Sequence, residues 1–433
     1  MITQMTPMTG LIVTIFVLGY AAIALEHKIK LNKAASALIT GVLCWVIYIV
    51  SMPDKQLINK QLTEHLGEMS GVLFFLLSAM TIVELIDSHD GFNTITEKIT
   101  QTNKKSLIWI IGIITFFLSA ILDNLTTTIV MISLLRKLIK DDNDRLFFVG
   151  TVVIAANAGG AWSPIGDVTT TMLWIGGQIT AFKIIVKLLI PSLFCLIVPL
   201  IFISLKLKGN VERTENNNNT QTTSLPKKQQ KIVLFSGVSV LILVPVFKTL
   251  TNLPPYMGIL LGLGILWIIT EILHGTKEEV DKQHLTVVHA LRKIDTSTIL
   301  FFLGILVAIA ALQSTGVLMS LAQFMTVSIG NESIIVISIG LLSSIVDNVP
   351  LVAAAQGMYD LTQYPPDHYF WEFLAYTAGT GGSALIIGSA AGVAAMGMEK
   401  INFFWYLKNI SWLALIGFFS GAIIYILQDL ILH

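Results

Sequence analysis

The chain has 433 residues and no net charge: 27 basic side chains balance 27 acidic ones, 54% of the residues are hydrophobic and only 12% are charged. A soluble domain carries about 25% charged residues, so this composition predicts a polytopic membrane protein. The balanced charge offers no basic field for nucleic acid. Cys44 and Cys195 stand singly in apolar segments and suggest neither a disulfide framework nor a metal cluster.

The apolar runs predict the spans, and the Lys and Arg residues between them predict the orientation. Residues 1–9 lack the basic region of a cleavable signal, so the first run is predicted to be a retained span with its N-terminus outside. Residues 26–33 are basic and are placed inside, whereas residues 53–68 are predicted to form a mixed outer loop. The predicted spans of the first half are residues 10–25, 34–51, 71–86, 147–175 and 188–205.

Residues 107–135 are compatible with one long helix, two spans or a hairpin that enters and leaves by the same face. A span needs about 20 apolar residues, and each arm beside Asp123 and Asn124 has only about 12 to 16. Lys104 and Lys105 precede the stretch and Arg136 follows it, so both ends are placed on the basic, inner side. A re-entrant hairpin with its tip at the Asp-Asn pair fits best.

Residues 206–231 are polar, low in complexity and rich in lysine, which predicts a cytoplasmic linker. The second half repeats the order of the first, and its predicted spans are residues 232–250, 256–273, 298–312, 373–397 and 412–427. Its hairpin candidate, residues 333–359, has no Lys or Arg at either end, so both ends are placed outside. With five spans in each half, the chain is predicted to be an all-α inverted repeat of residues 1–205 and 232–433.

An Asp-Asn pair occurs once in each half, as Asp123-Asn124 and as Asp347-Asn348, 224 residues apart (347 − 123). Each pair is followed by a polar, glycine-rich interruption, at residues 156–167 and residues 378–389. Irregular backbone at membrane depth is tolerated only where it is buried in protein or lines a wet cavity. We therefore expect the four interruptions to form one central site near the midplane of the membrane.

Asp123, Asp167 and Asp347 are the charged residues within these four segments, and no Lys or Arg of the same segments accompanies them. A carboxylate at the bilayer centre costs about 2.5 to 3.5 kcal/mol, so the missing partner is predicted to be a mobile cation or a proton. Burial disfavours the charged form of a carboxylate, which lets it exchange a proton for a metal ion.

Neutral oxygen donors suited to a hard cation such as Na⁺ surround the three carboxylates in the sequence. The predicted ion or proton ligands are Asn124, Thr126, Thr127, Asn157, Thr169, Thr170, Asn348, Thr380 and Ser383, and Thr128, Ser163 and Ser389 are further oxygen donors.

Each candidate also has a structural interpretation. An Asp at a hairpin tip is often only the N-cap of the second arm, and a threonine run often serves helix packing. Asp167 has no acidic repeat mate, because Ser389 takes the matching position, so it either completes the ion site or only satisfies amides at the break. Glu84 is a possible proton relay or an interfacial group, and His89 a pH sensor or a solvated loop residue.

Residues 83–92, 122–128, 157–170 and 346–350 resemble the NhaD-type sodium/proton antiporters of the ion transporter superfamily, which includes arsenite permeases and divalent anion/sodium symporters. The resemblance implies a bacterial inner-membrane antiporter, not an enzyme, that exports Na⁺ or Li⁺ for protons at alkaline pH without a cofactor. It implies an ion or proton role for Asp123, Asn157, Asp167, Thr169, Thr170, Asp347 and Ser383, with Na⁺ held at Asp123, Asn157, Asp167 and Asp347. It also implies a homodimer, and it makes a cleaved signal doubtful, because the long N-terminal extension of some relatives is absent from this sequence.

The main alternative is an anion or arsenite permease of the same superfamily, in which helix N-termini hold a negative ligand. Divalent anion symporters typically carry Ser-Asn-Thr at both hairpin tips. This chain has Asp123-Asn124-Leu125 and Asp347-Asn348-Val349, which argues against a dicarboxylate site. An intramembrane hydrolase would also use buried Asp residues, but neither partner of a catalytic dyad stands in a suitable context.

Overall fold

The computed structural model describes residues 7–92, 99–212, 225–275 and 283–432. Within these ranges the regular elements are helices, apart from an isolated bridge between Asn103 and Asn210. Eight of the described helices are long and apolar enough to cross a membrane. The chain is thus an all-helical, multi-pass membrane protein, as its composition predicts.

The described helices of the first half are α1 to α9. Their bounds are Pro7–Ala24, Glu26–Ile29, Lys33–Ser51, Lys55–Ser88, Lys104–Leu122, Asn124–Leu138, Asp142–Ala161, Val168–Ile175 and Ala181–Lys206.

The described helices of the second half are α10 to α20. Their bounds are Lys227–Thr251, Pro255–His274, Val287–Lys293, Thr296–Ser314, Val317–Ile329, Glu332–Leu342, Asn348–Met358, Tyr369–Gly381, Ala390–Glu399, Phe403–Tyr406 and Trp412–Leu432, with a π turn at Leu407–Ser411 before α20.

The predicted interruptions are present where the polar residues lie. The α5–α6 pair breaks at Asp123, and the α15–α16 pair breaks between Leu342 and Asn348. The predicted broken spans separate into α7 and α8 and into α17 and α18. Each break coincides with glycine or with a polar side chain that caps the following helix, which is the local reason for it.

The structure differs from the expected element bounds in three places, and the outer loop is the expectation that is wrong. The outer loop predicted at residues 53–68 is helical from Lys55, because Asp54 accepts a hydrogen bond from the Leu57 amide and caps α4, which then runs for 34 residues. Polarity was the basis for that loop, but a polar face is also compatible with a helix. Helix α14 was not predicted; it lies between Gly316 and Gly330, both at positive φ. Helix α5 has 19 residues and is long and apolar enough to cross a membrane; residues 104–106 precede the apolar arm of the predicted hairpin, which stays a prediction.

A close helix crossing recurs in both halves. Helix α5 packs on α7, and α15 packs on α17. A Cβ added at Gly159 of α7 would lie 2.1 Å from the carbonyl oxygen of Phe116, and one added at Gly381 of α17 would lie 2.0 Å from that of Gly340. Since only glycine permits this approach, the first arm of each pair lies directly against the interrupted helix.

The two halves also exchange contacts. Helix α6 of the first half packs on α18 of the second, and α8 of the first packs on α16 of the second. Helix α3 packs on α13, and α9 packs on α20. The helices that begin at the four interruptions therefore pack in pairs across the two halves, and the four interruptions together are termed the junction.

An ion-pair cluster ties this arrangement together away from the junction. Glu399, at the end of α18, accepts from Arg136 Nε at 2.6 Å and from Arg145 Nε at 2.8 Å, and its side chain is only 3% exposed. Arg145 also donates to the Ile139 carbonyl. The cluster joins α18, which follows the glycine-rich break of the second half, to α6 and α7 of the first half.

Glu399→Gln is expected to lower the stability of the purified protein by about 2 kcal/mol, because it leaves two arginines facing a neutral group. Thermal unfolding in detergent measures this as a fall of several degrees in Tm. The matched control is Glu64→Gln, since Glu64 pairs with Lys60 at 3.8 Å while 62% exposed and should change stability by under about 0.5 kcal/mol. Equal effects of the two substitutions would contradict the assignment.

Candidate functional site

Asp123 forms the turn between α5 and α6. Its backbone has φ 85° and ψ 159°, a conformation that is almost restricted to glycine and costs about 1 to 3 kcal/mol elsewhere. Its Oδ1 accepts from the Thr126 amide and its Oδ2 from the Thr126 hydroxyl, both at 2.8 Å. The capping interpretation is therefore correct as geometry, but it does not explain why a strained position carries a carboxylate rather than glycine.

Asp167, Asp347 and Ser389 cap the other three helices of the junction. Asp167 accepts from the Thr169 amide at the start of α8, and Asp347 accepts from the Val349 amide at the start of α16. The Ser389 hydroxyl accepts from the Gly392 amide at the start of α18. Because the N-terminal end of a helix carries partial positive charge, each of these ends favours an anionic oxygen.

Asn157 connects three of the four interruptions. Its Oδ1 accepts from Asn124 Nδ2 at 3.0 Å, and its Nδ2 donates to the hydroxyls of Ser383 and Ser389 at 2.8 and 2.9 Å. These groups come from α6, from the end of α7 and from both sides of the second glycine-rich break. The predicted gathering of these residues is thus present, with Asn157 at its centre.

A second contact joins Asp167 to the other half. Asn348 Nδ2 donates to Asp167 Oδ2 at 3.3 Å, and Asp167 is 2% exposed. Asp347 directly precedes Asn348, and Asp123 directly precedes Asn124, whose Nδ2 donates to Asn157 Oδ1. The three carboxylates predicted from the sequence therefore share one junction built by both halves.

Several buried threonine hydroxyls of α6 and α8 are available as ligands. Those of Thr127, Thr128 and Thr170 are buried, and no described residue hydrogen-bonds to them. A cavity of about 50 Å³ lies at the α5–α6 turn; its lining includes Asp123, Asn124 and Thr126, and most of its other lining residues are apolar. A water molecule occupies about 30 Å³, so the cavity has room for a small cation, which would meet carboxylate, amide and hydroxyl oxygen.

One predicted ligand, Thr380, and two further candidates, Glu84 and His89, lie differently from expectation. The Thr380 hydroxyl donates to the Tyr376 carbonyl one turn earlier in α17, so its proton is used within its own helix. Glu84 lies outside the junction network: it accepts from the Ser88 hydroxyl, and its Oε1 is 3.2 Å from Lys293 Nζ. The interpretation of His89 as a solvated loop residue is wrong, since it is buried and its Nε2 lies 2.8 Å from His274 Nε2.

The expectation that no cationic side chain stands beside the three carboxylates is wrong for Asp347. Lys33, the first residue of α3, places its Nζ 3.9 Å from Asp347 Oδ2. Lys33 lies outside the four polar segments, and the basic loop to which it belongs indicates only topology. Nothing in the local sequence indicates that a lysine at the start of a helix contacts a residue 314 positions away (347 − 33 = 314).

The sequence profile of a family described as citrate transporter matches residues 14–381. Sodium/proton antiporters 1 and 2 of Arabidopsis thaliana are 48% and 47% identical over 95% of this chain, and the matches cover 71% and 98% of those proteins. The chain belongs to the citrate transporter family and is related to sodium/proton antiporters. The Na⁺/H⁺ antiporter NhaD of Halomonas elongata is 30% identical over 96% of this chain and 87% of its own length. The resemblance to NhaD-type antiporters is thereby confirmed.

Proposed function

We propose that this chain is a secondary active antiporter that moves Na⁺ out of the cell in exchange for protons. The observation that supports it most directly is the shared junction: three carboxylates, capping the helices that begin at three of the four interruptions, lie among buried amide and hydroxyl oxygens. The curated relatives named sodium/proton antiporters support the same reaction.

The exchange follows from competition for the same oxygen atoms. A carboxylate binds Na⁺ only when it is ionised, and a bound proton removes both its charge and one of its lone pairs. Asp123 and Asp347 would take Na⁺ and protons in turn, while Asp167, Asn157 and the neighbouring threonines complete the coordination. Since each carboxylate holds only one of the two ions, release of one on each side permits binding of the other.

The junction favours a cation over the citrate of the family's description. A tricarboxylate needs several cationic partners. Among the described residues, the ion pairs at these interruptions contain one basic side chain, Lys33, and it is already paired with Asp347. We therefore propose Na⁺ as the substrate in preference to citrate, arsenite and other anions.

A large cavity supports a route for cations. It measures about 920 Å³, and among its described lining residues the carboxylates are Glu64, Glu68 and Asp360, with no Lys or Arg. Its wall includes Met172 of α8 and Gln356 of α16, the helices that begin at Asp167 and Asp347. An acidic lining raises the local concentration of cations, so this cavity would serve as the entrance from one side.

The proposal extends to topology and setting. We propose five spans in each half, with re-entrant hairpins and an outer N-terminus, and opposite orientations of residues 1–205 and 232–433. This topology would place the cavity and the linker on opposite faces of the membrane. We propose a bacterial inner membrane as the location, a homodimer as the assembly, Li⁺ as a second substrate and activity at alkaline pH. Support for the location comes from the bacterial NhaD relatives.

Ion-induced collapse of a pH gradient tests the proposed function. Inverted vesicles from an antiporter-deficient bacterium are energised, and Na⁺, Li⁺, K⁺ or citrate is added while a pH-sensitive dye reports the gradient. We expect Na⁺ and Li⁺ to restore the fluorescence only in vesicles that contain the protein, and more at alkaline than at neutral pH. A response to citrate with none to Na⁺ would establish the anion permease instead.

Thr170→Val is expected to raise the apparent KM for Na⁺ about three- to tenfold, because it removes a hydroxyl oxygen to which none of the described residues hydrogen-bonds. The amount of folded protein should stay the same for the same reason. Thr115→Val is the matched control: the Thr115 hydroxyl is buried but donates to the Ile111 carbonyl within α5, so its loss should leave the KM unchanged. A titration of the exchange rate against Na⁺ measures both variants, and an unchanged KM for Thr170→Val would remove Thr170 from the coordination.

A further inference from the structure

The two Asp-Asn pairs hold equivalent positions in the repeat but have different partners. Three residues after Asp123 stands Thr126, whose amide and hydroxyl both bond the carboxylate. Three residues after Asp347 stands Pro350, which has neither an amide hydrogen nor a hydroxyl. The second carboxylate is therefore without the two local donors that hold the first.

Lys33 stands in their place. Its Nζ lies 3.9 Å from Asp347 Oδ2, beyond direct hydrogen-bond distance, and 4.5 Å from the centre of the Phe301 ring. The side chains of Lys33 and Asp347 are 23% and 20% exposed. The ammonium is thus positioned by a ring and a carboxylate in a partly accessible site, rather than fixed by a hydrogen bond.

We propose that Lys33 is a tethered competitor of Na⁺ at Asp347. Its charge occupies the position of the counter-ion, so Na⁺ binds Asp347 only when the ammonium withdraws. A lysine suits this role because it is a compact charge on a flexible four-carbon stem, whereas a residue that only joined two helices would gain from a direct hydrogen bond.

The two carboxylates of the repeat are then unequal. Asp123, surrounded by neutral donors, takes Na⁺ directly, and Asp347 takes it only in exchange for Lys33. This inference rests on the proposed function, since it assigns a specific role within the same ion site. It explains why a residue from α3 of the first half reaches the α15–α16 interruption of the second.

The Na⁺ dependence of exchange in Lys33→Met tests the inference. Methionine keeps the apolar stem over Phe301 and removes the charge. We expect the apparent KM for Na⁺ to fall about fivefold with a maximal rate close to that of the wild type, because the competing charge is lost. Lys33→Arg, which keeps the charge, should retain the wild-type KM. Lys30→Gln removes an exposed charge from the same basic loop and controls for a general change in surface potential.

An unchanged or raised KM in Lys33→Met, or the same fall in Lys30→Gln, would overturn the inference. A wild type without Na⁺-dependent exchange would instead overturn the proposed function, so the two failures are distinguishable. If Lys33→Met does not reach the membrane, Lys33→Gln is assayed in detergent by the Na⁺ concentration that gives half of the thermal stabilisation. That concentration should fall in the variant, and the fall should vanish when Asp347→Asn is added; a fall that persists in the double variant would contradict the role.

Discussion

Asp123→Asn is expected to abolish Na⁺-dependent proton movement, lowering the exchange rate at least about 100-fold, since one charge-assisted ligand is worth about two orders of magnitude in affinity. Asparagine has nearly the same shape, and its amide oxygen can still accept from the Thr126 amide. It cannot carry a proton or balance the charge of Na⁺. The loss should therefore appear in transport, measured by dye fluorescence in inverted vesicles, while the protein stays folded in the membrane.

The control for Asp123→Asn separates ion binding from helix capping. Asp54 caps α4 by accepting from the Leu57 amide, and it is exposed. Asp54→Asn makes the same chemical change at an N-cap away from the junction and should leave exchange intact. If both substitutions reduce exchange equally, or if Asp123→Asn still exchanges Na⁺ for protons, Asp123 is only a cap.

Gly159→Ala and Gly381→Ala are expected to cause the largest losses of stability. The added Cβ would lie 2.1 Å from a carbonyl oxygen of α5 in the first case and 2.0 Å from one of α15 in the second. A carbon atom cannot approach an oxygen so closely, and backbone cannot give way as a flexible side chain does. Each crossing must then open, at a cost of about 3 kcal/mol or more, which thermal unfolding and the yield of folded protein both measure.

Gly264→Ala is the matched control for the two crossings. Gly264 lies within α11, and a Cβ there would meet no atom within 4 Å. Alanine favours a helix over glycine by about 1 kcal/mol, so this variant should be as stable as the wild type or slightly more so. Full stability of Gly159→Ala and Gly381→Ala would mean that the arms do not lie against the interrupted helices.

The sequence was informative where membrane burial makes polar residues costly. Asp123, Asp167 and Asp347 were identified because a charge in an apolar segment needs a reason, and glycine marked both breaks because it permits close backbone approach. The matching positions of the polar interruptions in the two halves predict that residues distant in the sequence contact one another. The hydrogen bond between Asn157 and Ser383 is such a contact.

Other features depend on tertiary contacts that have no local pattern. Lys33 belongs to a loop whose charge is fully explained by topology, and only the packing of α3 on α13 carries it toward Asp347. The sequence marks Ser389 as an oxygen donor opposite Asp167 in the predicted repeat, but it does not show that Ser389 caps α18 and bonds Asn157. The helical start of α4 has no distinct sequence signal, because its polar residues suit a loop as well as a helix face.

Uptake of radioactive sodium into liposomes containing the purified protein tests the central claim most directly. An acidic lumen is imposed, and Na⁺ entry is compared with that in liposomes without a pH gradient. We predict accumulation of Na⁺ above its external concentration only with the gradient, and none in liposomes containing Asp123→Asn. Uptake that is equal with and without the gradient, or that persists in Asp123→Asn, would contradict coupling of the two ions at this junction.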